Sequence, residues 1–169
     1  MNYCPQLEDL HTYQYFNNNF TEYENYLYSI FLKDLFNMKI FYKGKPVSLK
    51  RYPIYNNKEE SFYHLTCKNY NGDSSKRDPD FRRSERLHWI KPSIETEHSI
   101  ICKQNCFLVY EKETNNKIRT HLLNKEDRYL IILEERNDYY LLITAFYIEY
   151  DNALDKKVKD YENYKNSLK

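Results

Sequence analysis

Arg128-Tyr-Leu-Ile-Ile-Leu-Glu-Glu135, then Arg136-Asn137-Asp138, then Tyr139-Tyr-Leu-Leu-Ile-Thr-Ala-Phe-Tyr147 is the stretch whose reading sets the fold. Both apolar runs are rich in β-branched and aromatic residues, and the polar break between them suits a hairpin turn. Upstream, Ser99 to Cys102, Phe107 to Glu111 and Ile118 to Leu123 read as further strands. Thr114-Asn-Asn116 and Asn124-Lys-Glu-Asp127 supply their turns. Regular alternation puts Thr144 and Phe146 on one face of the last strand, and Ile143, Ala145 and Tyr147 on the other.

The N-terminal half has a different period. Tyr23, Leu27, Ile30, Phe31, Leu35 and Met38 recur every three or four residues, with Asp34 off the pattern, and Thr21-Glu-Tyr-Glu24 has the form of a capping box. A helix is therefore expected over 22–38. Lys39 to Lys43 and Pro46 to Arg51 read as short strands, and residues 56–60 as a polar loop. Ser61 to Lys68 alternates and reads as a strand, with a short helix as the alternative. Asn69 to Lys76, nearly devoid of apolar side chains, reads as a mobile loop. Asp78-Pro79 has the form of a helix start, with the helix ending near Lys91-Pro92. Asp151 to Lys169 is expected to be a final helix. The order gives an α+β fold: N-terminal helices packed on a twisted antiparallel sheet formed mainly by the C-terminal half, with a C-terminal helix. One domain is expected over 1–169, with an extension at 1–60, a core at 61–150 and the last helix at 151–169.

At 169 residues a chain buries roughly 70% of its unfolded surface, so it needs no staple to fold. Nineteen Tyr and nine Phe against two Gly make aromatics the main core material. The abundance of Tyr, Asn, Lys and Ile matches translation from an AT-rich genome. Two glycines leave no room for a phosphate-cradling glycine loop, and no Gly-x-Ser-x-Gly marks a serine hydrolase. Twenty-six basic and 25 acidic residues argue against nonspecific DNA coating. Cys4, Cys67, Cys102 and Cys106 include no pair of matched Cys pairs, so free cytosolic thiols and no metal are expected. No leader-like start or membrane-length apolar run is visible, so a cytoplasmic protein without membrane partners is expected.

The candidate chemistry lies between residues 64 and 89. If residues 61–68 are a strand, Phe62, His64 and Thr66 share a face, with Lys68 next along it. Histidine titrates close to neutral pH and suits proton transfer; the alternative for His64 is a hydrogen-bonded core-edge residue. Arg82, Arg83 and Arg86 lie three and four apart on the expected helix, where guanidinium groups could grip phosphate or could simply pair with Asp80 and Glu85. His88 either joins them or caps the helix end. Trp89 reads as a core anchor, and Tyr147 reads equally as core packing.

Phe62-Tyr-His64-Leu-Thr66, Arg77-Asp-Pro-Asp-Phe-Arg-Arg83-Ser-Glu-Arg86-Leu-His-Trp89-Ile and the final strands ending Thr144-Ala-Phe-Tyr147-Ile together resemble the barnase/EndoU/colicin/RelE-like nucleases, in the branch found in phages and mobile elements. The likeness covers about residues 60–150. It implies helices packed on a four-stranded antiparallel sheet and RNA cleavage by 2′-hydroxyl transesterification, without metal or cofactor. It implies His64 as acid or base, Arg83 and Arg86 as phosphate contacts and Thr144 at the cleft. Thr66, Lys68, Arg82, His88 and Tyr147 are the accompanying substrate-binding candidates. RNA, with tRNA as one candidate, is the implied substrate, and an inhibitor or antitoxin protein the implied partner. The near-neutral charge departs from the basic balance of such nucleases. The alternative is a non-catalytic protein that binds a host protein through a Tyr-rich surface.

Overall fold

A computed structural model describes residues 3–70 and 73–169, the side chains of Tyr70 and of residues 73–76 excepted. The expected α+β architecture is present. Four antiparallel strands form its centre: β7 (Leu108–Thr114), β8 (Lys117–Asn124), β9 (Tyr129–Glu135) and β10 (Tyr140–Tyr147). Left-handed Asn115 and Asn116 turn β7 into β8, a conformation Asn tolerates better than most residues. Two short N-terminal strands, β1 (Ile40–Tyr42) and β2 (Lys45–Ser48), extend this sheet to six in the order β1-β2-β10-β9-β8-β7. Here β2 runs parallel to β10, pairing Val47 with Tyr140 and Ser48 with Leu141. That pairing stops early. Beyond Leu141 this edge of β10 has no strand neighbour among the described residues, and a register shift sets in between Leu142 and Thr144.

Each face of the sheet has its own core. On one, Leu122, Ile131, Leu133, Leu142 and Ala145 pack against the N-terminal helices and Trp89. On the other, Tyr110, Leu123, Leu130 and Phe146 meet Leu154, Val158 and Tyr161 of α6 (Asp151–Ser167). Helix α1 (Phe20–Ile30) continues as a π-helical segment over Phe31–Phe36, and Tyr23, Leu27, Phe31 and Leu35 form one buried stripe at four-residue steps. It starts earlier than expected. The Asn19 side chain, rather than a Thr21 capping box, accepts from the Glu22 N–H at 3.2 Å. The expected polar loop at 56–60 is the turn of a small hairpin, β3 (Ile54–Tyr55) and β4 (Lys58–Glu59).

Three sequence expectations fail around the middle of the chain. Residues 61–68 are not the strand preferred for them but the short helix given as the alternative, α2 (Glu60–Thr66), followed by β5 (Cys67–Tyr70). Phe62, Tyr63, Leu65 and Thr66 are all buried there, so neither period stands out in the sequence. The expected mobile loop gives β5 and β6 (Asp73–Pro79), paired antiparallel; its Asn71 and Gly72 lie outside the described residues. Asp78 and Pro79 belong to β6, and the helix start passes to Asp80. The Asp80 N–H bonds the Thr66 carbonyl at 2.9 Å, continuing the hairpin, and its side chain caps α3 (Phe81–Ser84).

The chain does not break at Pro92 either. After a 3-10 turn at Leu87–Trp89, α4 (Ile90–Glu95) carries Pro92 in its first turn, where the missing N–H leaves no bond unmade. The last misread segment, Ser99 to Cys102, is also helical: α5 (His98–Ile101) turns Ile100 and Ile101 outward. Among the described residues no helix is long and apolar enough to cross a membrane.

Candidate functional site

Where β2 leaves β10, the chain peels away at Lys50 and returns as α2. The Lys50 carbonyl accepts from the Ser61 N–H at 3.1 Å and the Arg51 carbonyl from the Glu60 N–H at 3.3 Å, which fixes the start of α2 beside the departing strand. Between them and the bulged edge of β10 lies a cleft of about 320 Å³, within the range of small-ligand sites. Leu141, Leu142 and Ile143 form its floor. Lys50, Glu60, Ser61, His64, Asn69 and Arg77 supply its polar walls.

Glu60 and Arg77 form an ion pair across the cleft, both side chains being mostly buried. Only one carboxylate oxygen is used. Among the described residues the other, Oε2, is buried and has no hydrogen-bond partner, and the same holds for the hydroxyl of the neighbouring Ser61. Buried polar atoms are ordinarily bonded, so these two stand out within the cleft wall. His64 is half-buried. Burial and the guanidinium groups of Arg83 and Arg77 hold its imidazole below the usual histidine range; Lys50 acts the same way and Glu60 opposes. The ring is therefore neutral at pH 7, with a carboxylate and three cations around it.

The expected site residues divide between this cleft and other places. His64 lines the cleft, and Arg83 stands behind it, donating from Nη1 to the His64 carbonyl at 3.1 Å while its Nε pairs with Asp80 at 3.2 Å. Arg83 thus holds main chain. Thr66 does not share a face with His64 in solvent, because it is buried in α2 and donates to the Phe62 carbonyl at 2.8 Å. Lys68 is exposed on β5 and stands apart from the cleft lining.

Arg86 lies over the rings of Tyr147 and Trp89 at 4.4 and 5.2 Å and donates to the Arg82 carbonyl at 2.8 Å. Arg82 also lies over Tyr147, at 5.5 Å, and pairs with Glu149 at 3.1 Å. Arg82, Arg86 and Tyr147 therefore form a cation–π stack outside the cleft. His88 is buried, donates to the Asp9 carbonyl at 3.0 Å and stacks on His11 at 3.7 Å. Thr144 pairs with Ile132, on the face that meets α6, and does not line the cleft. Sequence reasoning missed Lys50, Glu60 and Ser61, and quoted Arg77 without giving it a role. The signal for Glu60 and His64 was their four-residue spacing, visible only once 60–66 is read as a helix.

No protein-family model matches the chain, and neither a curated protein nor a solved structure shows significant similarity to it.

Proposed function

We propose that the cleft beside His64 is the active site of a metal-independent endoribonuclease. The observation that carries this reading is the convergence of His64, Glu60, Arg77 and Lys50 on one cleft. Transesterification at RNA needs a neutral base near pH 7, a cation for the phosphate and a group to orient them. His64 takes the 2′-hydroxyl proton as the alkoxide attacks phosphorus. The bond from phosphorus to the 5′-oxygen breaks, and that oxygen receives the proton back from His64. The products are a 2′,3′-cyclic phosphate and a 5′-hydroxyl. Arg77 and Lys50 stabilise the charge gathering on the non-bridging oxygens. Glu60 aligns Arg77 through their ion pair. Arg83 is a positioning residue, and the roles first expected of Arg86 and Thr144 are not part of the proposal.

The likeness of residues 60–150 to RNA-cleaving nucleases, one of sequence motifs alone, points to the same chemistry, and unpaired RNA, tRNA loops included, is the substrate class that can present a single ribose to a narrow cleft. The test is incubation of total RNA with wild type, His64→Ala and Arg77→Gln in magnesium-free buffer. Cleavage by wild type alone supports the reading; equal loss of RNA with all three, or none with wild type, overturns it. A second reading, docking to a host protein, rests on Tyr52 just before the β3–β4 hairpin and Ile54 and Tyr55 on it, exposed at 72%, 51% and 46%.

A further inference from the structure

Three of the four cysteines and one histidine, scattered along the sequence, meet at one point outside the cleft lining. Cys4 comes from the N-terminal segment, His98 and Cys102 from the two ends of α5, and Cys106 from the loop before β7. Their four ligand atoms all lie within 4.8 Å of one another. Cys4 Sγ is 3.3 Å from His98 Nδ1 and 4.0 Å from Cys102 Sγ, and Cys102 Sγ is 3.5 Å from the same nitrogen. A tetrahedral ion with bonds of about 2.3 Å to sulfur and 2.0 Å to nitrogen needs ligand separations of about 3.5–3.8 Å. The observed spacings straddle those values. They are far too long for a disulfide, whose sulfurs lie at about 2.05 Å, and the cysteines are free thiols.

From this geometry we infer that Cys4, His98, Cys102 and Cys106 bind one Zn²⁺ ion as a closed structural site. The donor set favours zinc, since three thiolates and an imidazole in tetrahedral array suit it, whereas magnesium and calcium prefer oxygen. Four protein ligands leave no position open for water or substrate, which separates this site from the chemistry proposed for the cleft.

The surroundings are those of a ligand set. Cys4 and Cys106 are 0% and 3% exposed. Around Cys4 the chain makes a tight turn, the Leu7 N–H bonding the Cys4 carbonyl at 3.1 Å, and the Gln6 N–H faces the Cys4 sulfur. Gln104 Nε2 approaches the Cys106 sulfur at 3.7 Å. Such N–H groups offset the charge of coordinating thiolates. With Nδ1 directed at the ion, the proton of His98 sits on the buried Nε2. Binding releases the three thiol protons to solvent.

The consequence is a staple. Residues 3–11 cross the helical layer with little secondary structure, fastened by Asp127, which accepts from the Tyr3 and Cys4 N–H groups at 2.9 and 3.1 Å, and by Trp89, whose indole N–H donates to the Glu8 carbonyl at 2.8 Å. An ion shared by Cys4 and α5 ties this strap to the rest of the chain.

The test is elemental analysis of the full chain purified under reducing conditions, with X-ray absorption at the zinc edge and Co²⁺ substitution. The expected result is one equivalent of zinc, a shell of three sulfurs and one nitrogen, and intense tetrahedral cobalt bands with thiolate charge transfer. Cys102→Ser should lower the sulfur count or lose the metal, while Cys67→Ala, which alters the cysteine outside the cluster, should keep both. Should Cys102→Ser not fold, His98→Cys locates the site by converting the shell to four sulfurs. Wild type that neither contains zinc nor takes up zinc or cobalt overturns the inference. So does a shell dominated by oxygen, a disulfide among these cysteines in the reduced preparation, or a three-sulfur shell unchanged in His98→Cys.

Discussion

Arg83 reaches back from α3 to donate to the main-chain carbonyl of His64 at 3.1 Å, so the residue first expected to grip phosphate instead fixes the end of the helix that carries the imidazole. Its charge also lowers the His64 pKa, together with burial, the largest cause, and Arg77.

Replacing Arg83 by Gln keeps a donor and removes the cation. The His64 pKa should rise, and with it the acid limb of the cleavage profile, because a base is lost as pH falls through its pKa. Titration of His64 by NMR alongside a pH–rate profile checks this. A purely structural role for Arg83 would change stability and leave both pKa and acid limb in place.

Glu60 and Arg77 are partly shielded from water and rely on each other. Glu60→Gln should cost about 1–3 kcal/mol in denaturant unfolding, since it leaves Arg77 with a neutral partner. His64→Ala should cost little stability, the ring making no hydrogen bond among the described residues, yet reduce cleavage by a factor on the order of 10²–10⁴.

Arg86 should behave in the opposite way. It lies over both Trp89 and Tyr147 and is mostly buried. Arg86→Ala is expected to destabilise the fold by about 2–3 kcal/mol, through lost cation–π contact and an emptied site, without lowering cleavage per folded molecule. Chemical denaturation paired with activity normalised to folded protein distinguishes the two effects.

Acid should destabilise the protein before most carboxylates titrate. His88 is pushed down to about 4 by burial and by His11, with Arg86 adding to the shift; backbone bonds to Asp9 and Glu8 oppose it. His121, stacked on Tyr110 and bonded to the Arg119 carbonyl, is also pushed to about 4 by burial, with Lys157 and Lys112 contributing and Asp160 opposing. Both pKa values lie below the unfolded value of about 6.5. Between about pH 6.5 and 4 the unfolded chain binds more protons, so stability falls as pH drops, by up to about 1.4 kcal/mol per pH unit per histidine. Above pH 6.5 these groups should have no effect. Melting curves from pH 8 to 4, repeated with His121→Gln, check the slope.

Trp89 is the only tryptophan, and its indole bonds the strap at Glu8. If zinc fastens that strap, a chelator should shift Trp89 emission to longer wavelength, and restoring zinc should reverse the shift. Cleavage would fall only as far as the fold loosens.

The C-terminal strands were legible because β-branched and aromatic runs alternate with turn residues, and β9 falls within one residue of the run Arg128 to Glu135. α2 was not, because burial on nearly every side erases the period, and mistaking it for a strand misplaced Thr66 and hid Glu60. The helix through Pro92 was missed because a proline in a first turn looks the same in sequence as one that ends a helix. In the cleft, His64 was readable from its chemistry, whereas Arg77 gains its role from a hairpin that brings it to Glu60, 17 residues away. The metal-ligand cluster was half visible, as His98, Cys102 and Cys106 at four-residue steps. Its fourth member lies 94 residues from His98 and only the fold supplies it.

Cleavage at one defined ribose tests the cleft most directly. Two oligonucleotides identical except for a single 2′-deoxy substitution at the scissile position would be incubated with wild type and His64→Ala in magnesium-free buffer. The expected result is that wild type cuts the all-ribose strand, leaving a 2′,3′-cyclic phosphate, and spares the substituted one, while His64→Ala cuts neither. Equal cutting of both strands, or full activity without the imidazole, would contradict the account.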